Sequence, residues 1–189
     1  MAMRGVVEQP AGLLFREDLI SAGDEAALLD RFAELDMSPL VMHGVPSRRL
    51  TRHFGVAYDF DSRSTREAEP IPDYLLDLRS RAAEFSDVDP ESFAEALVIR
   101  YPAGATISWH KDVRAFGGVV VGVSLASTCV MRFQRTAAGG ERRVFEQPLP
   151  PRSAYALTGA ARWVWQHSIP PVADERWSVT FRQLAQGVG

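Results

Sequence analysis

The sequence predicts an α+β fold that is mainly β, with helices in its N-terminal part and two β-sheets after about residue 90. Six short apolar or alternating runs, separated by glycine, proline or charged residues, occupy the second half: 96–101, 119–125, 128–133, 143–148, 153–157 and 177–184. Repeated short strands with turn signals between them are typical of folds built from two sheets. We see no repeat and no long linker, so we expect residues 1–189 to form a single domain.

Two amphipathic helices are predicted before the strand-rich part. Ser21 is suited to begin the first helix, and apolar side chains follow it at near-helical spacing. The second helix is predicted to begin at Pro72, because proline is favoured in the first helical turn, and to end near Ser86. The apolar side chains of both helices are expected to face the core.

Short strands and one polar segment complete the N-terminal part. Residues 12–15 predict a strand, and residues 39–42 and 50–58 predict two more around a loop at 44–47. Residues 59–72 are polar and contain two prolines, a composition typical of a mobile loop. Helices and a lid would therefore occupy about residues 1–90, and the strand-rich core about residues 91–186.

Composition excludes several classes of protein. The 189 residues carry a formal net charge of −3, so a basic face for nucleic acid, if present, must be local. The single cysteine, Cys129, has no partner for an intrachain disulfide. The N-terminus does not resemble a signal peptide, and no stretch is apolar enough to span a membrane. We therefore expect a cytoplasmic monomer with no membrane association and no obligate protein partner.

His110, Asp112 and His167 form a candidate metal site. His110 and Asp112 stand two residues apart near a predicted strand edge, so both can project from one face of a sheet. Two imidazoles and one carboxylate on one octahedral face leave three positions open, as a redox-active iron requires for co-substrate and oxygen. Alternatively, each histidine is a hydrogen-bonded core residue, because His-x-Asp alone often arises by chance.

The last predicted strand has one polar and one apolar face. The polar face carries Arg176, Ser178, Thr180 and Arg182. Two inward-facing arginines would be buried without compensation unless an anion lies between them. A dicarboxylate would satisfy both, since guanidinium binds carboxylate through two donors. Alternatively, the face is exposed and its arginines are solvated.

An ordered set of motifs resembles the AlkB-like, Fe(II)- and 2-oxoglutarate-dependent dioxygenases. The set spans roughly residues 50–184, and its last motif is the most specific. The motifs are Tyr101-Pro102-x-Gly104, His110-x-Asp112, Val123-Ser124-Leu125, Gly159-x-x-Arg162, His167-x-Ile169 and Arg176-x-Ser178-x-Thr180-Phe181-Arg182. The resemblance implies a double-stranded β-helix, or jelly-roll, core, with N-terminal helices packed on one sheet and a short substrate lid.

The same resemblance implies the cofactors and their ligands. Fe(II) would be bound by His110, Asp112 and His167, and 2-oxoglutarate and dioxygen would be co-substrates. Arg176, assisted by Tyr101, would pair with the distal carboxylate of 2-oxoglutarate. Arg182 and Ser178 would complete the pocket near the carboxylate beside the metal. Such enzymes couple oxidative decarboxylation of 2-oxoglutarate to hydroxylation of a substrate, and hydroxylation of an N-methyl group releases formaldehyde.

Substrate residues are predicted by the resemblance and by composition. Relatives bind a base, extruded if the substrate is a duplex, between aromatic and imidazole faces near the iron. The candidates here are Tyr58, Phe60, Arg52, Arg114 and Arg162. Arg48, Arg49, Arg63 and Arg66 could add a local basic face. Alternatively, the two aromatics are half-buried strand residues and the arginines an ordinary solvated surface.

The sequence departs from the family pattern at two positions. Many repair members have a second acidic residue shortly after the aspartate ligand, where Val113 and Arg114 stand here, and Ile99 replaces a common asparagine. We therefore expect oxidative dealkylation of alkylated bases in DNA or RNA, with modified tRNA bases as a close variant. The alternatives are the same chemistry on a protein side chain or small molecule, and a non-catalytic ligand-binding jelly roll.

Overall fold

The computed structural model describes residues 8–42, 45–60, 62–137 and 139–185, so the segment examined for a signal peptide lies mostly outside them. Its strands are β1 Leu13–Arg16, β2 Ser38–Met42, β3 Val45–Phe54, β4 Val56–Asp59, β5 Ser64–Glu67, β6 Phe93–Tyr101, β7 Ile107–His110, β8 Phe116–Leu125, β9 Cys129–Thr136, β10 Arg142–Leu149, β11 Ala154–Leu157, β12 Gln166–Ile169 and β13 Arg176–Leu184. The α-helices are α1 Ala22–Ala33, α2 Leu76–Ser86 and α3 Gly159–Trp163, and two 3-10 turns cover Asp73–Leu75 and Pro90–Ser92.

Two antiparallel sheets form the core. The larger sheet has the order β1-β11-β8-β13-β6-β3-β2, and the smaller has the order β10-β9-β12-β7. Apolar side chains of both sheets meet in one cluster, with Ile99 from the larger sheet and Met131, Phe133 and Ile169 from the smaller. The mainly β, jelly-roll prediction is confirmed.

The two N-terminal helices, α1 and α2, cover the outer face of the larger sheet. Ser21 caps α1 with a capping box that includes Asp24, which satisfies amide groups at the helix start. Phe32 of α1 packs on Trp177 of β13, with ring centroids 5.6 Å apart. The predicted helices and their packing on one sheet are therefore confirmed. None of the helices within the described ranges is long and apolar enough to cross a membrane.

Local backbone geometry corrects three predictions. The predicted strand at 50–58 is divided at Gly55, where φ is +75° and a Cβ would lie 2.1 Å from the Ala94 carbonyl oxygen. The predicted loop at 59–72 contains β5, which pairs with β4; its residue 61 lies outside the described chain. Of the loop predicted at 44–47, residues 45–47 belong to β3 and residue 44 is not described.

The strands that carry the histidines are four residues each and were not among the six predicted runs. β7 and β12 pair in the smaller sheet, and β12 also pairs with β9. His110 ends β7, and its backbone partner on β12 is His167. The histidines, 57 positions apart in the numbering, are therefore neighbours on adjacent strands.

Candidate metal centre and its cavity

Two imidazole rings meet at the end of β7. The ring centroids of His110 and His167 are 4.3 Å apart. Nδ1 of His110 lies 2.9 Å from the Ser108 carbonyl oxygen. Because a carbonyl only accepts hydrogen bonds, Nδ1 is the donor, and Nε2 keeps its lone pair in the neutral ring. Burial lowers the pKa of His167, although the hydrogen bond with Asp112 opposes this shift, so its ring is also suited to metal binding.

Asp112 faces both histidines from the segment after β7, rather than from the strand itself as predicted. Its Oδ1 lies 3.6 Å from Nε2 of His110 and 3.6 Å from Nε2 of His167. Burial alone would raise the pKa of Asp112, but the Arg182 guanidinium and the two histidines hold it well below its usual range. The carboxylate is therefore ionised at neutral pH.

The three side chains fit a divalent metal. One ligand atom from each of His110, Asp112 and His167 can be chosen so that all lie within 4.8 Å of one another. Two neutral imidazoles and a carboxylate are the donor set of non-haem Fe(II) oxygenases, which bind iron on one face and leave the other positions open. Because the His110 side chain remains 37% exposed, that face borders accessible space.

Arg182 is held between two carboxylates. Its Nε donates to Asp112 Oδ2 at 3.0 Å, and its Nη1 donates to Glu95 Oε2 at 2.8 Å. The other oxygen of Glu95 accepts from Nδ1 of His53 at 2.8 Å. The prediction that Arg182 lacks compensation without a bound anion is therefore wrong, because the chain supplies two carboxylates.

Arg176 has a different environment although it faces the same way from the same strand. It is 1% exposed, its Nη2 donates to Ser124 Oγ at 2.8 Å, and it stacks on the Tyr101 ring at 4.7 Å. Its Nε and Nη1 are buried and make no hydrogen bond within the described residues. An arginine stays charged in proteins, so Arg176 is a buried cation whose charge no carboxylate of the described residues neutralises.

A cavity of about 510 Å³ opens between the sheets, a volume within the range of small-molecule sites. It is lined by the three candidate metal ligands and by Tyr101 and Arg182. Arg176 and Ser178, although predicted to bind the co-substrate, do not border it.

The predicted substrate residues divide into two groups. Tyr58 and Phe60 line the cavity and contact each other edge to face, with ring centroids 5.1 Å apart. Arg52 does not line it and pairs with Glu69 at 2.7 Å, and Arg114 is exposed outside its lining. The structure thus brings the two aromatics to the metal cavity but not these two arginines.

Arg162, the remaining predicted substrate residue, is buried and holds the backbone beside Asp112. It is 2% exposed and does not border the cavity. Its guanidinium donates to the carbonyl oxygens of Asp112, Val113, Phe116 and Gly117 at 3.0–3.1 Å. These contacts fix the segment that presents the carboxylate ligand, and they leave Arg162 no face toward a substrate.

Sequence reasoning did not place Glu95, His53 or Arg49 in one cavity with the candidate metal ligands. All three line the cavity. Strand periodicity was the available signal: Glu95 shares its face with Leu97, Ile99 and Tyr101, and Arg49 shares its face with His53. The sequence alone could not show that β3 lies next to β6 and extends the same wall.

Comparison with known proteins agrees with this geometry. Residues 36–183 match the family model of the 2OG-Fe(II) oxygenase superfamily. The mouse tRNA (carboxymethyluridine(34)-5-O)-methyltransferase ALKBH8 is 28% identical over 176 residues, covering 88% of this chain and 25% of that protein. The Alkylated DNA repair protein ALKBH8 homolog of Arabidopsis thaliana is 27% identical over 181 residues, covering 84% of this chain and 51% of that protein.

The fold also matches a solved structure. The structure of OsALKBH1 superposes on this chain with a TM-score of 0.70 at 16% sequence identity, and the match covers 93% of this chain and 98% of the OsALKBH1 chain. The match supports the jelly-roll fold, and the family model accounts for most of the chain. The chain therefore belongs to the 2OG-Fe(II) oxygenase superfamily and is an AlkB-like oxygenase that uses Fe(II), 2-oxoglutarate and dioxygen.

Proposed function

We propose that the chain hydroxylates a modified base of RNA, and that a tRNA uridine bearing a neutral or anionic side chain is its substrate. The charge of the cavity carries this proposal. Arg48, Arg49 and Lys111 line it, and none of them pairs with a carboxylate within the described residues, while Glu95 and Asp112 both bind Arg182. The wall therefore has an excess of positive charge.

This charge discriminates among modified bases. A base alkylated at N1 of adenine or N3 of cytosine carries a positive charge, which the cations of the wall would repel. Val113, one of the two positions after Asp112 at which many repair members have an acidic residue, lines the cavity, where a carboxylate could offset such a charge. A neutral or anionic base meets no such penalty.

Relatives support RNA as the substrate class. The mouse and Xenopus tropicalis relatives are named for methyl transfer to carboxymethyluridine at position 34 of tRNA. The chain spans about a quarter of each, so we take from these names only the tRNA and its modified uridine. Tyr58 and Phe60 offer aromatic faces on which a base could stack.

The residues of the site would divide the work as follows. His110, Asp112 and His167 would hold iron, Arg182 would keep Asp112 ionised and oriented, and Arg176 with Tyr101 would attract the distal carboxylate of 2-oxoglutarate. Bound together, iron and 2-oxoglutarate would use dioxygen to convert a C–H bond to C–OH, with release of succinate and carbon dioxide. The sheets would exclude water from this chemistry.

Dealkylation of DNA is the second candidate, because the Arabidopsis relative is named an alkylated DNA repair protein. Mass spectrometry of products from a substrate panel separates the two. The panel contains tRNA with carboxymethyl-type uridines and single-stranded DNA and RNA with cationic methylated bases. We expect gain of one oxygen on the uridine and little formaldehyde from the cationic bases.

A matched variant tests the charge argument. Val113→Asp adds a carboxylate to the cavity wall and should raise turnover of the cationic bases relative to the wild type, with Arg114→Asp outside the cavity as control. Efficient release of formaldehyde from cationic bases by the wild type would contradict the proposal that the substrate is a neutral or anionic tRNA uridine. Absence of any product across the panel would favour a protein or small-molecule substrate.

A further inference from the structure

Arg49 lies in the cavity wall next to Tyr101. β3 pairs with β6 so that Leu50 is opposite Arg100 and Thr51 is opposite Ile99, which brings the preceding residue, Arg49, beside Tyr101. Arg49 and Tyr101 both line the cavity. The wall of the larger sheet therefore continues past β6 onto a strand that carries an inward-facing guanidinium.

The charge of Arg49 is not compensated within the described part of the chain. Its Nε is buried without a hydrogen-bond partner, and it forms no ion pair there with an acidic residue. Burial lowers the pKa of Arg49, an effect that the Tyr101 side chain opposes and Arg182 adds to. An anion that enters the cavity would stabilise this partly buried guanidinium by pairing with its charge.

Tyr101 lies against both Arg49 and the other uncompensated arginine, Arg176. Arg176 stacks on the Tyr101 ring at 4.7 Å and does not border the cavity, whereas Arg49 does. An anion that accepts a hydrogen bond from the Tyr101 hydroxyl would therefore have Arg49 as the directly accessible cation. Arg176, which stacks on the Tyr101 ring, would add its positive charge without bordering the cavity.

We propose that Arg49 binds the distal carboxylate of 2-oxoglutarate together with Tyr101. The inference rests on the co-substrate site assigned under Proposed function and adds to it a residue from a strand outside the recognised motifs. A carboxylate or phosphate of the substrate has the same chemistry, so the test must separate the two sources. The exposed Arg48 at the cavity edge is better placed to meet a substrate anion.

Binding titrations test the proposal without relying on turnover. Arg49→Met retains most of the stem and removes the charge, and Arg52→Met is the matched control on the outer face of β3. Each protein is loaded with Mn(II) in place of iron and titrated with 2-oxoglutarate and with 2-oxopentanoate, which lacks the distal carboxylate. We expect Arg49→Met to raise the Kd of 2-oxoglutarate about tenfold or more and to leave that of 2-oxopentanoate nearly unchanged.

The remaining outcomes each decide the proposal. Equal binding of 2-oxoglutarate by Arg49→Met and wild type overturns it, as does an equal loss for both acids, which indicates a distorted cavity. Unchanged 2-oxoglutarate binding with weaker tRNA binding overturns it in favour of a substrate anion. A wild type that binds no 2-oxoglutarate would instead refute the co-substrate site itself. If Arg49→Met does not fold, Arg49→Lys is used, and an intermediate loss specific to 2-oxoglutarate is the supporting result.

Discussion

Arg182 and Arg176 face the same way from one strand, yet the chain treats their charges differently. Arg182 binds two carboxylates of its own chain, Asp112 and Glu95, at 3.0 and 2.8 Å. Arg176 has two buried nitrogens without partners among the described residues. The comparison teaches that the metal end of the cavity is preorganised by internal ion pairs, while the Tyr101 end has donors free for a ligand.

The largest effect is expected at the preorganised metal end, where replacing the ligand Asp112 should abolish metal binding. Asp112→Ala removes one of three ligand groups and a partner of Arg182, so we expect loss of tight Mn(II) binding and of succinate formation. Mn(II) titration and uncoupled turnover measure both, with Asp112→Asn as the variant closest in shape. Wild-type metal affinity in Asp112→Ala would exclude this residue from the centre.

The next largest effect is expected from Glu95, which should stabilise the metal end of the cavity through its contact with Arg182. Glu95 is 1% exposed, and Glu95→Ala removes the hydrogen-bond partner of Arg182 Nη1 and of His53 Nδ1. Breaking a buried ion pair costs about 3–5 kcal/mol, so we expect the free energy of unfolding of the metal-free protein to fall by about that amount. Urea denaturation measures it, and Glu95→Gln should lose less because it keeps the shape and an acceptor. A loss below about 1 kcal/mol for Glu95→Ala would show that the pair is not a determinant of stability.

The smallest change in the stability of the metal-free protein should come from a substitution at the Tyr101 end of the cavity. Arg176→Met removes a buried charge that has no counter-ion, so we expect the metal-free protein to unfold at equal or higher urea concentration. The same variant should weaken 2-oxoglutarate binding about three- to tenfold, less than Arg49→Met does, because Arg176 does not border the cavity and would act on the anion without direct contact. A large loss of stability with unchanged 2-oxoglutarate affinity would reverse the contrast between the two arginines.

Strand periodicity and motif order were enough to predict much of this molecule. The alternation over residues 176–182 predicted that Arg176 and Arg182 share one face of the strand, and the structure has both of them on its inward face. Periodicity could not predict that Glu95 neutralises Arg182, because the contact joins residues 87 positions apart on neighbouring strands. Periodicity also could not predict that Arg162 is buried. Its hydrogen-bond partners are backbone carbonyls, which every residue has, so the sequence does not reveal them.

The single domain, the monomeric state and the cytoplasmic location stay predictions. The metal ligands and co-substrate residues remain to be tested by the variants above.

The contacts of Arg162 have a consequence for how such an enzyme could change its substrate. Arg162 binds the main-chain carbonyls at Asp112, Val113, Phe116 and Gly117, and every amino acid has a carbonyl. The side chains at 113 and 114 can therefore be exchanged without releasing the segment that presents Asp112. During evolution toward a new substrate, the residues at these two positions could be replaced while the geometry of the iron ligands is kept.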